Sequence, residues 1–258
     1  MTFPPYLFET AALILGLVLG SFYNVCIHRT LAGQSVVWPG SHCPKCGHNL
    51  SWWENIPVLS YIFLRGKCRS CQESISLRYP TVEILSGLRA AAFAYRFGPT
   101  LEWGVYMVVI GLLLVASFID LDRFILPDVI TLPGAVFVWL AAWLVLPIGW
   151  QDSLLGAGIG SGIFLALQQG YRLIKGVHGL GTGDIKLMLM LGGLVGWQGL
   201  PVMILLSSLS GLLVSLVWLW RDASKGMKTA IPFGPFLSLG TVATLLFGDV
   251  IWQWYLGI

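Results

Sequence analysis

The sequence predicts an all-α, polytopic membrane protein, because its composition, its hydropathy and the placement of its basic residues all indicate that fold class. Hydrophobic residues make up 56% of the 258-residue chain and charged residues only 10%, whereas soluble domains carry about 25% charged residues. The mean hydropathy is +0.79. A chain of this composition is expected to lie in a lipid bilayer.

Apolar runs recur along the chain at about the length, roughly 20 residues, that a helix needs to cross a hydrocarbon core of ~30 Å. Glycine and proline interrupt several of these runs, and neighbouring helices can satisfy the backbone groups that such breaks release. The sequence predicts about eight transmembrane helices, near residues 6–27, 82–97, 101–119, 129–147, 153–174, 185–198, 200–220 and 234–255.

The first run is predicted to be a retained helix that is not cleaved as a signal peptide. No basic segment precedes its apolar core, Glu9 lies there instead, and Arg29 follows it. The N-terminus should therefore face outward.

Basic residues predict the orientation of the remaining helices. If the helices alternate, the inner connections are 28–81, 120–128, 175–184 and 221–233. These connections and their helix ends hold 13 of the 15 Lys and Arg residues, which leaves only Arg89 and Arg96 toward the other side. Basic loops stay in the cytoplasm, so the inner side is predicted to be cytoplasmic. A basic cytoplasmic face also explains the net charge of +3, and no nucleic-acid partner is expected.

Four of the five cysteines lie in the predicted loop at 28–81, as CPKC (Cys43, Cys46) and CRSC (Cys68, Cys71), separated by 21 residues. Two such knuckles are typical of a four-cysteine zinc ribbon, in which each knuckle supplies two thiolates to one tetrahedral ion. A pair of disulfides is the alternative, which a reducing cytoplasm disfavours. We therefore expect a structural zinc ion that organises the loop and leaves no open coordination position.

These features divide the chain into a first transmembrane helix at 1–27, a cytoplasmic tetracysteine loop at 28–81, and a multi-helix membrane domain at 82–258. Within the last part, GAGIGSG at 156–162 is similar to a nucleotide-binding glycine loop. No strand precedes it, and small residues in membrane helices usually allow close packing. The segment is therefore predicted to pack against another helix.

Carboxylates collect at one predicted face of the membrane. Asp120, Asp122 and Asp128 lie in SFIDLDRFILPD, and Asp184 lies in GTGDIK at the start of another helix. Ionisable residues near membrane depth indicate functional sites, although interfacial hydration or helix capping would also explain them. Asp122 points about 200° around a helix from Asp120, and Asp128 follows a proline at a predicted helix start. Asp120 and Asp184 are therefore the predicted catalytic pair.

The two predicted catalytic residues differ in their place on their helices. Helix dipoles favour Asp120, near a C-terminus, as the proton-bearing acid and Asp184, near an N-terminus, as the base that activates water. Two carboxylates that share a site titrate as a coupled pair, so the assignment can reverse when substrate is bound.

A family resemblance rests on an ordered set of segments: GSFYNVCIHR, the paired CxxC knuckles followed by SLRYPTVE, IDLDRFILPD, GTGDIK, and IPFGPF near the C-terminus. Taken together, they resemble the type IV prepilin peptidases, or prepilin leader peptidase/N-methyltransferases, of the GxGD aspartyl protease class. The resemblance covers nearly the whole chain. In that family the catalytic aspartates match Asp120 and Asp184, and the GxGD glycines match Gly181 and Gly183.

The resemblance implies a bacterial inner-membrane enzyme that cleaves the leader peptide from type IV prepilins or type II secretion pseudopilins at the cytoplasmic face. Bifunctional members also methylate the new amino terminus with S-adenosylmethionine, and they carry the GSF-type segment and usually the tetracysteine loop. No Rossmann-type unit is visible for that cofactor. Ser21, Asn24 and Glu83 are candidate polar contributors by position and resemblance, and helix capping is the alternative explanation.

Two other classes of protein would also contain some of these features. A transporter or channel would place acidic residues near the bilayer midplane within an internal repeat. A zinc-stabilised membrane scaffold without chemistry would need its cysteines and tolerate replacement of its aspartates.

Overall fold

A computed structural model describes residues 6–176, 179–221 and 231–256. The all-α prediction is confirmed, because the described residues form helices and no β-strand, apart from two isolated bridges in the cysteine loop. The helices are α1 (Leu7–Ala32), α2 (Leu59–Phe63), α3 (Arg78–Phe97), α4 (Leu101–Arg123), α5 (Asp128–Leu144), α6 (Gly149–Lys175), α7 (Thr182–Arg221) and α8 (Gly234–Leu256). Most of the predicted connection at 221–233 lies outside the described residues.

Each predicted apolar run coincides with a helix to within a few residues. Among the described residues, the helices long and apolar enough to cross a membrane are Leu7–Ala32, Leu101–Arg123, Thr182–Trp218 and Gly234–Trp254. Helix α5 is apolar but shorter. The count of eight crossings stays a prediction.

Helix α7 contains two of the predicted runs, and the structure interrupts the helix at Gly196, three residues before the predicted break. The backbone of Gly196 is not helical, with φ 68° and ψ 172°. Positive φ is readily adopted only by glycine, and the Ile148 side chain occupies the space where a Cβ would lie. The sequence therefore locates this interruption to within a few residues.

The chain forms two compact units, Met1–Val115 and Ala116–Ile258, and the boundary along the sequence falls within α4. The first unit contains the cysteine loop, and the second contains Asp120 and Asp184. The division into 1–27, 28–81 and 82–258 stays a prediction.

In the first unit, α1 packs closely against α3 through two glycines. A Cβ on Gly16 would lie 2.6 Å from the Cβ of Ala90, and a Cβ on Gly20 would lie 2.6 Å from the Cα of Glu83. Small residues allow such close approach between membrane helices. Gly20 thus brings the backbone of α1 directly against Glu83.

In the second unit, α6 packs against α7 through the predicted glycine segment. A Cβ on Gly156 would collide with the carbonyl oxygen of Gly192, and a Cβ on Gly192 would collide with that of Gly156. Gly158 and Gly162, on the other face of α6, have open space. The helix-packing interpretation of GAGIGSG is therefore confirmed.

We expect Gly156→Ala to destabilise the second unit by about 1–3 kcal/mol, because an added methyl group forces these two backbones apart. Gly158→Ala is the matched control, and it should leave stability unchanged or raise it, since alanine favours helix by up to about 1 kcal/mol. Thermal unfolding of both variants in detergent measures the difference. Equal shifts for the two variants would contradict the packing described for α6 and α7.

Candidate active site and metal centre

Asp120 lies in the last turn of α4, as the sequence predicts, and its side chain is buried with 5% of its surface exposed. The backbone N–H of Gly234, at the start of α8, donates a hydrogen bond to its Oδ2 at 3.0 Å. One turn earlier in α4, the hydroxyls of Ser117 and Ser238 are 3.0 Å apart and link the same two helices. The end of α4 is thus fixed to the start of α8.

Asp184 lies in the first turn of α7 and is half-buried. It accepts a hydrogen bond from the backbone N–H of Gly181, within the GTGD segment, and its charge interacts with that of Asp120. The structure therefore brings the two predicted catalytic carboxyl groups into one site, although 64 positions separate them in the sequence.

Leu126 lies between the two glycine segments that border this site. A Cβ on Gly183 would be 3.0 Å from the Cβ of Leu126, and a Cβ on Gly234 would be 3.1 Å from its Cδ2. A Cβ on Gly234 would also lie 2.7 Å from Oδ2 of Asp120. Glycine is required here because the backbone itself contacts the carboxyl group.

The other two candidate carboxylates lie outside the pair, as predicted. Asp122 is exposed at the end of α4. Asp128 begins α5 after Pro127 and pairs with Lys186 of α7 at 2.7 Å. This ion pair ties the start of α5 to the start of α7, a link that the sequence did not predict.

The four cysteine sulfurs form a cluster in which all Sγ atoms lie within 4.8 Å of one another. The Sγ atoms of Cys43 and Cys71 are 3.9 Å apart, and those of Cys46 and Cys68 are 4.0 Å apart. Tetrahedral zinc with bonds of about 2.3 Å places its sulfurs about 3.8 Å apart, whereas a disulfide requires about 2.0 Å. The cysteines are free thiols, so the geometry fits a metal site and not disulfides.

The two knuckles share one backbone arrangement. The N–H of Cys43 bonds the carbonyl of His48, and the N–H of Cys68 bonds the carbonyl of Glu73, which is 25 positions further along in both cases. The residue after each second cysteine has positive φ, 71° at Gly47 and 60° at Gln72. This duplication is hidden in the sequence because only the cysteines are identical.

One thiol of the cluster is harder to ionise than an ordinary cysteine. The Glu73 backbone N–H favours the Cys71 thiolate, but burial and the three neighbouring sulfurs raise the pKa of Cys71 to about 12. A bound cation would favour the thiolate form of Cys71.

The two histidines that flank the first knuckle have other partners. His42 contacts the carbonyl oxygen of Gly40, and His48 contacts buried Glu54 at 3.3 Å. The backbone N–H of Ser51 holds the pKa of Glu54 below its ordinary value. Four cysteines thus supply the ligand set without a histidine.

A cavity of about 340 Å³ lies in the first unit between α1, α3 and the cysteine loop. The lower limit for small-molecule sites is about 300 Å³. Its walls include Ser21, Asn24 and Glu83, which the sequence singles out, together with Cys43 and Cys68 of the metal cluster. One wall of the cavity is therefore formed by the loop that a metal would organise.

Comparisons with known proteins match two parts of the chain to known families. Residues 14–97 match the Bacterial Peptidase A24 N-terminal domain, and residues 107–216 match the Type IV leader peptidase family. A relative from Pseudomonas putida named prepilin leader peptidase/N-methyltransferase is 38% identical over 96% of this chain and 93% of its own. The chain belongs to the prepilin leader peptidase/N-methyltransferase family. Two further relatives with that name, from Pseudomonas aeruginosa and Stutzerimonas stutzeri, are 38% and 39% identical over 98% of this chain and 94% and 95% of their own.

No solved structure shows significant similarity to the chain. Each of the two matched segments contains one of the two candidate sites. The match at 14–97 contains the cysteine cluster and Glu83, and the match at 107–216 contains Asp120 and Asp184. Gly234 lies beyond both matched segments, although its N–H bonds Asp120 directly.

Proposed function

We propose that this protein is a membrane aspartyl endopeptidase that removes the leader peptide of type IV prepilins or type II secretion pseudopilins and N-methylates the new amino terminus. The observation that carries the proposal is the meeting of Asp120 and Asp184 in one site. The names of the relatives support both activities.

Cleavage requires one carboxylate to act as base and one carboxylic acid to act as acid. In the proposed reaction, the base takes a proton from water, and the water oxygen attacks the carbonyl carbon of the scissile bond. The acid protonates or hydrogen-bonds the carbonyl oxygen, and the C–N bond then breaks as the leaving nitrogen takes the proton that the base removed from water. The N–H of Gly234 orients Asp120, and the N–H of Gly181 orients Asp184. In the proposed reaction the pair shares one proton, and either aspartate can hold it at the start.

We expect Gly234→Ala to lower kcat/KM for leader cleavage by about 10–100-fold, because a Cβ 2.7 Å from Oδ2 displaces Asp120. Gly248→Ala, on the same helix, introduces only an ordinary contact, 3.5 Å from Thr244, and serves as the control. Purified variants assayed with one prepilin give the comparison. Full activity of Gly234→Ala would show that cleavage does not need the close contact between Gly234 and Asp120.

The proposed location is the bacterial inner membrane, with the aspartate pair at the cytoplasmic face. Basic residues concentrate in the connections on that side. A substrate whose basic leader stays in the cytoplasm would present its cleavage bond at the same face. The proposed partners are prepilins or pseudopilins and the lipid bilayer, and no nucleic acid is required.

The proposed metal is one structural zinc ion held by the four cysteines. With four thiolate ligands it would organise the loop at 28–81 and leave no position for water. Metal analysis of the purified protein should give one zinc per chain. A Cys46→Ser variant should lose most of that zinc, whereas Cys26→Ser should retain it.

The proposed site for S-adenosylmethionine is the cavity of the first unit. Its volume suits a small molecule, and it combines buried polar groups on α1 and α3 with the walls of the cysteine loop. When bound, this methyl donor supplies an electrophilic methyl group. Asn24 donates to the carbonyl of Tyr79 at 3.0 Å and so fixes the wall between α1 and α3.

The test of both activities is incubation of purified protein in detergent with a prepilin, followed by mass analysis of the mature amino terminus. Loss of the leader establishes the peptidase, and added mass of one methyl group that depends on S-adenosylmethionine establishes the methyltransferase. A transporter or a scaffold without chemistry would leave the prepilin intact.

A further inference from the structure

Glu83 is a buried carboxylate on the wall of the cavity in the first unit. It lies in the second turn of α3, and 8% of its surface is exposed. Its Oε2 accepts the backbone N–H of Val58 at 2.7 Å, and the side chain of Ser21 donates a second hydrogen bond. Three chain segments therefore hold this one side chain in place.

Two backbone segments beside Glu83 have an uncommon conformation or an unusually close contact. Val58 has φ 61° and ψ −48°, a conformation that is uncommon for any residue with a side chain and an outlier for a β-branched one. Gly20 brings the backbone of α1 to Glu83 where any Cβ would clash. Strained backbone of this kind is concentrated at functional sites, which indicates that the position of Glu83 matters for more than packing.

Other buried polar groups of the cavity are engaged in holding the fold. Arg29 donates to the carbonyl oxygens of Ser35, Pro39 and Gly40. Glu54 accepts the N–H of Ser51 at 2.8 Å and contacts His48.

A carboxylate has about four acceptor positions, and Val58 and Ser21 use two of those on Glu83. Glu83 thus keeps acceptor capacity for a cationic ligand.

Methyl transfer to a new amino terminus needs such a group. An α-amino group has a pKa of about 7.7–8.0, so it is largely an ammonium ion at neutral pH and cannot attack a methyl group until it loses a proton. Glu83 lies five residues, about 7.5 Å, inside the start of α3 at Arg78. Glu83 is thus close to the end of α3 that adjoins the cysteine loop.

We propose that Glu83 binds the new amino terminus of the cleaved substrate and accepts its proton, as the catalytic base of methyl transfer; this rests on the proposed second activity. The ammonium proton passes to the Glu83 carboxylate, and the freed nitrogen lone pair forms a bond to the methyl carbon of S-adenosylmethionine. The carbon–sulfur bond breaks and its electron pair stays on sulfur, which becomes a neutral thioether. The product is a methylammonium group, and Glu83 then releases its proton to water.

The test compares Glu83→Gln with wild type on two synthetic mature peptides. One carries the natural α-amino group, and the other carries an aminooxy group in its place, whose nitrogen is already neutral, with its lone pair free, at neutral pH. The Gln side chain keeps an acceptor for Val58 and Ser21, and Glu102→Gln, a change of the same kind at the start of α4, is the control. Cleavage of a prepilin and binding of S-adenosylhomocysteine are measured on each variant.

We expect Glu83→Gln to lower kcat for methylation of the amino peptide by about 10²–10⁴-fold. The aminooxy peptide should be methylated at close to the wild-type rate, with leader cleavage unchanged. Glu83→Asp should recover part of the lost rate. Equal loss on both peptides, or no loss on either, would overturn the proposal.

The outcomes separate this proposal from the one on which it rests. If wild type neither binds the ligand nor methylates either peptide, the second activity itself is wrong, and the role of Glu83 is wrong with it. If wild type methylates and Glu83→Gln methylates equally well, only the assignment of Glu83 fails.

Discussion

Asp120→Asn and Asp184→Asn will each lower the rate of leader cleavage by at least about 10³-fold, because neither amide can give or take the proton that peptide hydrolysis requires. Asparagine has nearly the shape of aspartate, and its carbonyl oxygen can still accept the N–H of Gly234 or of Gly181. The fold should therefore survive. The measurement is single-turnover cleavage of a prepilin by each purified variant in detergent.

The matched control for this prediction is Asp122→Asn. Asp122 lies two residues from Asp120 but is exposed, so its variant should cleave within about threefold of wild type, as surface substitutions rarely matter. The double variant at Asp120 and Asp184 should be little worse than either single variant, because the two residues act as a unit. Normal cleavage by either single variant would show that the pair is structural.

Replacing Cys46 and Cys71 together with serine will abolish methylation and spare cleavage. Binding of structural zinc contributes about 10–16 kcal/mol to the folding of small zinc domains, so its loss should unfold the loop that forms one wall of the cavity. Methyl transfer should fall by more than about 100-fold. Cleavage should stay within about threefold of wild type, because Asp120, Asp184 and Gly234 all lie in the other compact unit.

Both rates and the zinc content should be measured on the same preparation of the double variant. Cys26→Ser is the control, since Cys26 lies in α1 outside the cluster. Parallel loss of cleavage and methylation would show that the aspartate pair depends on the cysteine loop. If the variant lacks zinc but still methylates, methylation does not need the loop that zinc organises.

Much of the fold and the site could be predicted because each rests on residue chemistry that the sequence displays directly. Helix positions follow from apolar runs, and the four-cysteine cluster follows from two CxxC knuckles. Asp120 and Asp184 could be singled out because a carboxylate is costly near a membrane.

Features made by the backbone could not be predicted in the same way. The N–H that orients Asp120 belongs to Gly234, and any residue except proline would have supplied an N–H there. The strained Val58 is an ordinary apolar residue in the sequence. The cavity depends on how α1, α3 and the loop pack, which is a property of three dimensions and not of spacing.

The contact between Gly156 and Gly192 has a consequence for where a substrate can be cut. Because these two backbones touch without side chains between them, α7 cannot slide along α6. Gly192 lies eight residues, about 12 Å, from Asp184 along the same helix. The contact therefore fixes the position of Asp184 along the axis of α6. A peptide bond one helical turn further along that axis, about 5.4 Å away, would lie beyond hydrogen-bond reach of this carboxyl group.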